Sequence, residues 1–235
     1  RERSAAQPLT PLRLFAVPNV AAANLVQTVM IAGMFGQQFF IALYLQLVLG
    51  FDATEVGLGM LPVALAIGLF SLGLSARAIA RAGAKGVLVG GLLLIAAALL
   101  AMQRAPVDGL YWRDVLPALL VMGAGAGLAM PALPTLALAR ATPADAGLAS
   151  GLLNTTQQIG AAIGLSLLAT LAASRSETLR AGGEGAIEAL AGGYRLAFAV
   201  AAALALAAAA LAVTLLRGEQ TPAPTPERDV YAARP

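Results

Sequence analysis

The sequence predicts an all-α membrane protein that crosses the bilayer six times. Hydrophobic residues make up 59% of its 235 residues and charged residues only 11%, whereas about a quarter of a typical soluble domain is charged. A soluble fold of this size would lack the polar surface needed to face water. The charged residues also leave six uncharged runs of 18 to 38 residues. A helix needs about 20 apolar residues to cross the hydrocarbon core, so each run predicts one transmembrane helix.

The runs also predict the domain organisation. The first run, 14–51, is nearly long enough for two helices, but Pro18 and Asn19 indicate a late start and no turn signal divides the rest. The polar, proline-containing ends are expected to be a cytoplasmic linker at 1–18 and a disordered cytoplasmic tail at 218–235. The chain begins with Arg rather than Met, which indicates a piece of a longer protein. The predicted six-helix bundle spans 19–217, with helices at about 19–48, 54–77, 85–103, 114–138, 144–172 and 193–216.

Local signals support several helix starts. Asp52-Ala-Thr-Glu55 matches a capping box, in which Asp52 accepts from an exposed helix amide and Glu55 reaches back. The Thr-Pro-Ala-Asp segment at 142–145 combines an N-cap, a proline at the first helical position and an acid near the positive dipole end. Asp114 is assigned a similar role. We therefore predict that these acids stabilise helix ends and take no part in catalysis.

The positive charges favour one orientation. If both ends lie in the cytoplasm, the cytoplasmic segments hold ten of the 15 Lys and Arg residues and the outer segments hold five. This excess agrees with the positive-inside rule. The segments around Lys85 and Arg140 are therefore expected to face the cytoplasm, and the loops at 104–113 and 175–195 to face outward.

Missing residue types restrict the function. The sequence contains no Cys and no His, which removes thiol nucleophiles, the commonest general base and the commonest metal ligands. Aromatic residues, at 5%, are too few for a surface that stacks nucleic acid bases. We therefore expect no enzymatic activity, no metal or other cofactor, and no nucleic acid partner.

Uncharged polar side chains gather in the first and fifth predicted helices. Polar groups inside a membrane are costly, so their positions are informative. In each helix they recur at spacings of three or four residues and share one face. Two explanations stay open, a water-filled cavity or hydrogen bonds between helices, and for the two stripes together we favour the cavity. The predicted substrate-binding residues are Asn24, Gln27, Met34, Phe35, Gln38, Phe39, Asn154 and Gln158.

Small residues in the fourth and fifth predicted helices indicate close packing. Gly and Ala alternate at 123–127, ahead of two prolines that bend the helix. The fifth helix contains Gly147-x-x-x-Gly151 and Gly160-x-x-x-Gly164, a spacing that lets helix backbones approach. A kinked helix beside a polar one suits a transporter that rocks around a central site.

Three segments carry a family resemblance. Residues 44–62 read Tyr-Leu-Gln-x-Val-Leu-Gly and then Ala-x-x-x-Gly-x-x-x-Leu-Pro. Residues 145–164 read Asp-Ala-Gly-Leu-Ala-Ser-Gly-Leu-Leu-Asn-Thr-Thr-Gln-Gln-Ile-Gly-x-x-x-Gly. The basic loop after the second helix contains Arg77, Arg81, Gly83 and Lys85. Together they resemble the fourteen-helix drug:proton antiporter family, the EmrB/QacA-like branch of the major facilitator superfamily, and the loop resembles a degenerate copy of the superfamily's cytoplasmic loop motif.

The resemblance implies that the chain is the carboxy-terminal half, or C-terminal bundle, of such a transporter. The implied function is proton-coupled multidrug efflux of amphipathic small molecules across the bacterial plasma (inner) membrane. The implied partners are membrane lipid, the N-terminal half of the same transporter, a small-molecule substrate and protons, with the proton-coupling residues in the N-terminal half. Ala80 stands where the loop motif usually has an acid, so the loop is expected to anchor topology. The alternatives are a non-catalytic membrane scaffold or receptor domain, or a transporter of sugars, siderophores or lipids.

Overall fold

The structure, a computed structural model, describes residues 19–139 and 143–217, with side chains from 147 onward in the second range. Within these ranges the chain forms helices and short connections and no strand. The linker predicted at 1–18, the tail predicted at 218–235 and the Thr142 cap lie outside the described residues. The α-helices are α1 Val20–Leu43, α2 Ala53–Leu69, α3 Ser75–Met102, α4 Leu116–Leu138, α5 Pro143–Ala181 and α6 Ala186–Leu215, with π-helical turns at Tyr44–Val48, Phe70–Leu74 and Tyr111–Val115.

Five continuous helical stretches in the described ranges are long and apolar enough to cross a membrane, whereas the sequence predicted six. The difference lies in Ala53–Met102, a stretch of 50 residues that contains both the second and the third predicted helix. The two predicted helices, 54–77 and 85–103, are nonetheless distinct within this stretch, because the non-helical residue Gly83 lies between them. The helical backbone is interrupted at Gly83, where φ is 73° and ψ is 152°. Glycine reaches this region without the steric cost of a Cβ.

The packing partners of α2 show its direction. The position of a Cβ on Gly123 of α4 would be 2.7 Å from the Val63 carbonyl oxygen of α2. One turn later, a Cβ on Gly127 would be 2.7 Å from the Ile67 carbonyl oxygen. Both helices therefore advance together, and α2 runs parallel to α4.

The main part of α3 runs the other way. A Cβ on Gly91 would meet the backbone nitrogen of Ala129 at 2.9 Å, and a Cβ on Gly125 would meet that of Ile95 at 3.0 Å. Advancing along α3 therefore means going back along α4, so these two helices are antiparallel. Since α2 is parallel to α4, the chain reverses between α2 and the second part of α3, and Gly83 is the residue whose backbone makes that reversal.

Helix α1 packs between α5 and α6. Gly160 and Gly164 of α5 lie against Thr28 and Ala32 of α1 in the same order, so α1 and α5 are parallel. The buried residues of α6 are mostly alanines, and small side chains let its backbone approach the neighbouring helices. The buried side chains of all six helices form one continuous apolar core.

Two predicted helices are longer in the structure than the sequence indicated. The fifth was expected to end near residue 172 and the sixth to begin near 193, but α5 continues to Ala181 and α6 begins at Ala186. Beyond the predicted limits the two helices still pack on each other, because Gly192 of α6 lies against the Leu179 side chain of α5. The predicted loop at 174–192 is therefore mostly helix, with a short connection at 182–185.

The capping box at the start of α2 is confirmed. The Glu55 backbone N–H donates to Asp52 Oδ1 at 2.8 Å, and the Asp52 backbone N–H donates to Glu55 Oε2 at 2.9 Å. Asp114 also acts at a helix start, since its Oδ2 accepts from the Leu110 backbone N–H at 2.8 Å. That bond lies at the π-helical turn Tyr111–Val115, so the helical stretch begins slightly before the predicted residue 114.

The two ends of the described bundle meet. The Asn19 side-chain Nδ2 donates to the Arg217 carbonyl at 3.0 Å, and the Arg217 backbone N–H donates to Asn19 Oδ1 at 2.8 Å. Asn19 has a φ of 73°, a left-handed conformation that Asn adopts more often than most residues. The start of α1 and the end of α6 are therefore joined by a reciprocal pair of hydrogen bonds.

Candidate substrate cavity

A cavity of about 290 Å³ lies between α1, α2 and α4. Four of the six methionines in the sequence line it, and they come from all three helices. The close approach of α2 to α4 at Gly123 and Gly127 defines one wall, and α1 supplies the opposite one. The lining residues are Ile31, Met34, Phe35, Gln37, Gln38, Met60, Val63, Ile67, Met122, Ala126 and Met130.

Three of the predicted binding residues line this cavity: Met34, Phe35 and Gln38. Phe35 is 51% exposed and Gln38 is also exposed, so both lie where the cavity opens to the surface of the bundle. Met34 is partly buried. The structure therefore brings one aromatic, one thioether and one amide side chain of α1 to the same space.

Eight lining residues were not among the predicted binding residues, and four of these carry an amide or a thioether: Gln37, Met60, Met122 and Met130. Gln37 follows Met34 by three positions, a helical spacing that places both on one face. Met122 and Met130 are eight positions apart in α4 and also share a face. These spacings are visible in the sequence, but the direction in which each face points depends on helix rotation.

Gln37 is the buried polar group of the cavity. Its side chain is 4% exposed, and its Oε1 is buried without a hydrogen-bond partner among the described residues. The neighbouring Gln38 is exposed. Most buried polar atoms in proteins have a partner, so this acceptor is an exception that lies at the wall of an otherwise apolar cavity.

Asn24 and Gln27 lie elsewhere, buried between α1 and α5. Gln27 Nε2 donates to the Leu153 carbonyl at 2.9 Å, and Asn24 Oδ1 accepts from Thr156 Oγ1 at 2.9 Å. Asn24 Nδ2 donates to a carbonyl of its own helix. These amides form the hydrogen bonds between helices that the sequence left open as the second explanation. Their contact with substrate stays a prediction.

The remaining predicted residues lie on the surface of the bundle. Phe39 is half-exposed, and its ring packs edge-on against Phe40 with a centroid separation of 5.6 Å. Asn154 and Gln158 are exposed on α5, which contributes no residue to the cavity. Amides exposed on a membrane-spanning helix would be costly against lipid, so this face suits contact with protein or water.

The basic loop places its charges at one end of the bundle. Lys85 Nζ donates to the carbonyls of Val213 and Leu216, both at 2.7 Å. These carbonyls belong to the last turn of α6, where helix carbonyls lack partners within the helix and a cation is favourable. Arg77 donates to the Gly73 carbonyl in the turn Phe70–Leu74 at 3.1 Å, while Arg81 is exposed. The loop thus joins the reversal at Gly83 to the end of α6.

Comparison with known proteins identifies the family. The model of the Major Facilitator Superfamily matches residues 23–232. The chain is 34% identical to the cephamycin export protein CmcT of Amycolatopsis lactamdurans over 172 residues, covering 73% of this chain and 35% of that protein. It is 35% identical to the puromycin resistance protein pur8 of Streptomyces alboniger over 173 residues, covering 72% of this chain and 34% of that protein.

A third relative is the tetracenomycin C resistance and export protein of Streptomyces glaucescens, which is 33% identical over 177 residues and covers 74% of this chain and 32% of that protein. The chain therefore spans about a third of the length of these relatives. The resemblance noted in the sequence is confirmed, since these relatives are named for antibiotic export and resistance. With its apolar membrane-spanning helices and the family match over most of its length, this chain belongs to the Major Facilitator Superfamily.

Proposed function

We propose that this chain is the C-terminal bundle of a proton-coupled multidrug efflux transporter that exports amphipathic small molecules across the bacterial inner membrane. The observation that carries the proposal is the cavity between α1, α2 and α4, with its four methionines, one phenylalanine and two amides. The similarity to proteins named for export of, or resistance to, chemically different antibiotics supports it.

The chemistry of the cavity suits varied ligands. Methionine side chains are unbranched and polarizable, so they adapt their shape to different apolar surfaces. Phe35 offers a ring face to an apolar or cationic group. The amides of Gln37 and Gln38 provide donors and acceptors without a fixed charge. A ligand with an apolar body and a few polar groups is therefore accommodated without a unique geometry.

Transport itself requires more than this chain. Transporters of this kind alternate access by moving one bundle against another around a central site. We propose that the N-terminal half of the same transporter supplies the second bundle, and that its residues couple export to proton entry. The exposed face with Gln38, Phe39, Asn154 and Gln158 is proposed to face that bundle, and the chain is proposed to catalyse no chemical reaction.

The test uses the full-length transporter expressed in a drug-sensitive bacterium. We expect Met60→Ala and Met122→Ala to change resistance to some compounds by several-fold and to leave others unchanged, since different ligands use different parts of the wall. Leu72→Ala is the matched control, because Leu72 is 89% exposed and lies outside the cavity. A uniform loss of resistance that follows protein level would contradict a binding role for the cavity.

The proposed orientation has its own test. Ala82 lies beside the reversal at Gly83 and Ala186 lies at the start of α6, and both are exposed. In intact cells, an impermeant maleimide is expected to label Ala186→Cys and to spare Ala82→Cys until the membrane is opened. The two variants serve as each other's control, and the opposite labelling pattern would reverse the orientation. This chain contributes no other thiol.

A further inference from the structure

Gln37 differs from the other buried amides of α1. Gln27 donates to a carbonyl of α5, and Asn24 both donates within α1 and accepts from Thr156. Gln37 is as deeply buried as these two, yet its Oε1 has no partner among the described residues. Burial of an acceptor without a hydrogen bond costs free energy, so the packing of helices does not by itself account for an amide at this position.

The side chains around Gln37 indicate that a ligand supplies the hydrogen-bond donor that its Oε1 lacks. The cavity beside it is lined by thioether, aliphatic and aromatic side chains, with the exposed Gln38 at its opening. None of these apolar side chains can donate a strong hydrogen bond. Gln37 lines the cavity, and the terminal torsion of a glutamine side chain is broad, so the amide is free to present its oxygen to a ligand there.

We propose that Gln37 determines the specificity of this cavity by accepting a hydrogen bond from an N–H or O–H group of the transported molecule. This rests on the proposed function and adds the ligand class: amphipathic molecules with an apolar body that occupies the methionine-lined space and at least one hydrogen-bond donor near it. Gln37 then separates two ligands of similar shape when only one of them has such a donor, because only that one satisfies the buried oxygen.

The experiment compares two dyes that share one ring system. Rhodamine 123 carries amino N–H donors, and in tetramethylrhodamine methyl ester methyl groups replace those hydrogens. The dissociation constant of each dye is measured by fluorescence polarisation with the purified full-length transporter. Gln37→Met keeps the length of the side chain and removes the acceptor. We expect its dissociation constant for rhodamine 123 to rise roughly tenfold, which corresponds to about 1.4 kcal/mol, and that for the methylated dye to change less than twofold.

Gln37→Glu is the companion variant, since it keeps an acceptor at the same place. It is expected to strengthen binding of rhodamine 123 relative to the methylated dye, because hydrogen bonds to a charged acceptor are stronger. If Gln37→Met does not fold, Gln37→Glu alone still tests whether Gln37 determines specificity. An unchanged ratio of the two affinities in Gln37→Glu and in any folded Gln37→Met would overturn the proposal.

A different outcome would identify another donor. A group elsewhere in the full-length transporter could donate the hydrogen bond to Gln37. In that case Gln37→Met will lower the melting temperature and shift both dissociation constants equally. This result would overturn the role of Gln37 in specificity and would leave the proposed efflux function unaffected. Failure of the wild-type transporter to bind either dye would count against the proposed function, and the specificity role would fall with it.

Discussion

The fifth helix contains the same glycine spacing twice, and the two copies have different surroundings. Gly160 and Gly164 lie directly on the backbone of α1, and a Cβ on Gly160 would be 2.7 Å from the Thr28 carbonyl oxygen. Around Gly147 and Gly151 a Cβ would meet no atom of the described residues within 4 Å. One pair therefore makes a helix contact within the bundle, and the other lies on its free face.

The comparison shows that a glycine pair makes a close helix contact only where a second helix lies against it. The contact at Gly160 and Gly164 is adjacent to the hydrogen bonds that Gln27 donates to α5 and Asn24 accepts from it, so close backbones and interhelical amides occur together. The free pair is near Asn154, which is exposed. Spacing alone does not distinguish the two, because small residues permit close approach but do not supply the helix that approaches.

The largest expected effect is at Gly164. A Cβ added to Gly164 would overlap the backbone of Ala32 in α1. Backbone atoms cannot move aside as the end of a flexible side chain can. Gly164→Ala is therefore expected to separate α1 from α5 and to destabilise the bundle by about 3 kcal/mol or more. The melting temperature of the full-length transporter in detergent measures this, with Gly147→Ala as the matched control. If Gly164→Ala had the same melting temperature as the control, the proposed difference between the two glycine pairs would be wrong.

Gly160→Ala is expected to have the same direction and a smaller size. The added methyl group would be 2.7 Å from the Thr28 carbonyl oxygen, a shorter distance than an ordinary van der Waals contact but one that a small shift of the helices can relieve. We expect a loss of about 2 kcal/mol by the same thermal assay. Combining this change with Gly164→Ala should give less than the sum of the two losses, because both act on one contact.

Gln27→Leu tests the amide next to the glycine contact. It removes the hydrogen bond from Gln27 Nε2 to the Leu153 carbonyl and keeps a side chain of similar volume. Hydrogen bonds between membrane helices contribute about 0.6 kcal/mol on average. We therefore expect a small fall in melting temperature and no selective change in which compounds are transported. A selective loss of one transported compound at unchanged stability would instead favour the predicted contact of Gln27 with substrate.

The smallest expected effect is at the free pair. Gly151→Ala places a methyl group in open space and replaces a residue that is unfavourable in a helix interior, so a gain of about 0.5 kcal/mol is expected. A clear loss of stability in the full-length transporter would show that another part of the protein packs closely on this face, and would turn the free pair into a second interface.

Much of the fold could be predicted because its signals are local. Uncharged runs place the membrane helices, and the capping box of Asp52 and Glu55 involves residues three positions apart. The uncharged runs also separate the second predicted helix from the third, but the position of the reversal could not be predicted in this way, because it depends on the backbone angles of one residue, Gly83. The continuation of α5 to Ala181 depends on its packing against α6, which is a contact distant in sequence.

The cavity was predicted in part for a similar reason. Periodicity identifies which side chains share a face of a helix, as with Met34 and Gln38. It does not give the rotation of the helix, and consecutive residues differ by about 100°. Gln37 and Gln38 therefore have opposite environments, one buried and one exposed, although the sequence treats them as equivalent amides. The lining residues from α2 and α4 could not be predicted, because they depend on how three helices pack together.

The reciprocal hydrogen bonds between Asn19 and Arg217 have a mechanical consequence. Because these bonds join residue 19 to residue 217, a force applied to either backbone acts at nearly the same point. Two forces that act at one point exert little torque on each other, so any rotation of the bundle is naturally described about that point. The far ends of its helices, near the turns at 50–52 and 182–185, then travel the greatest distance.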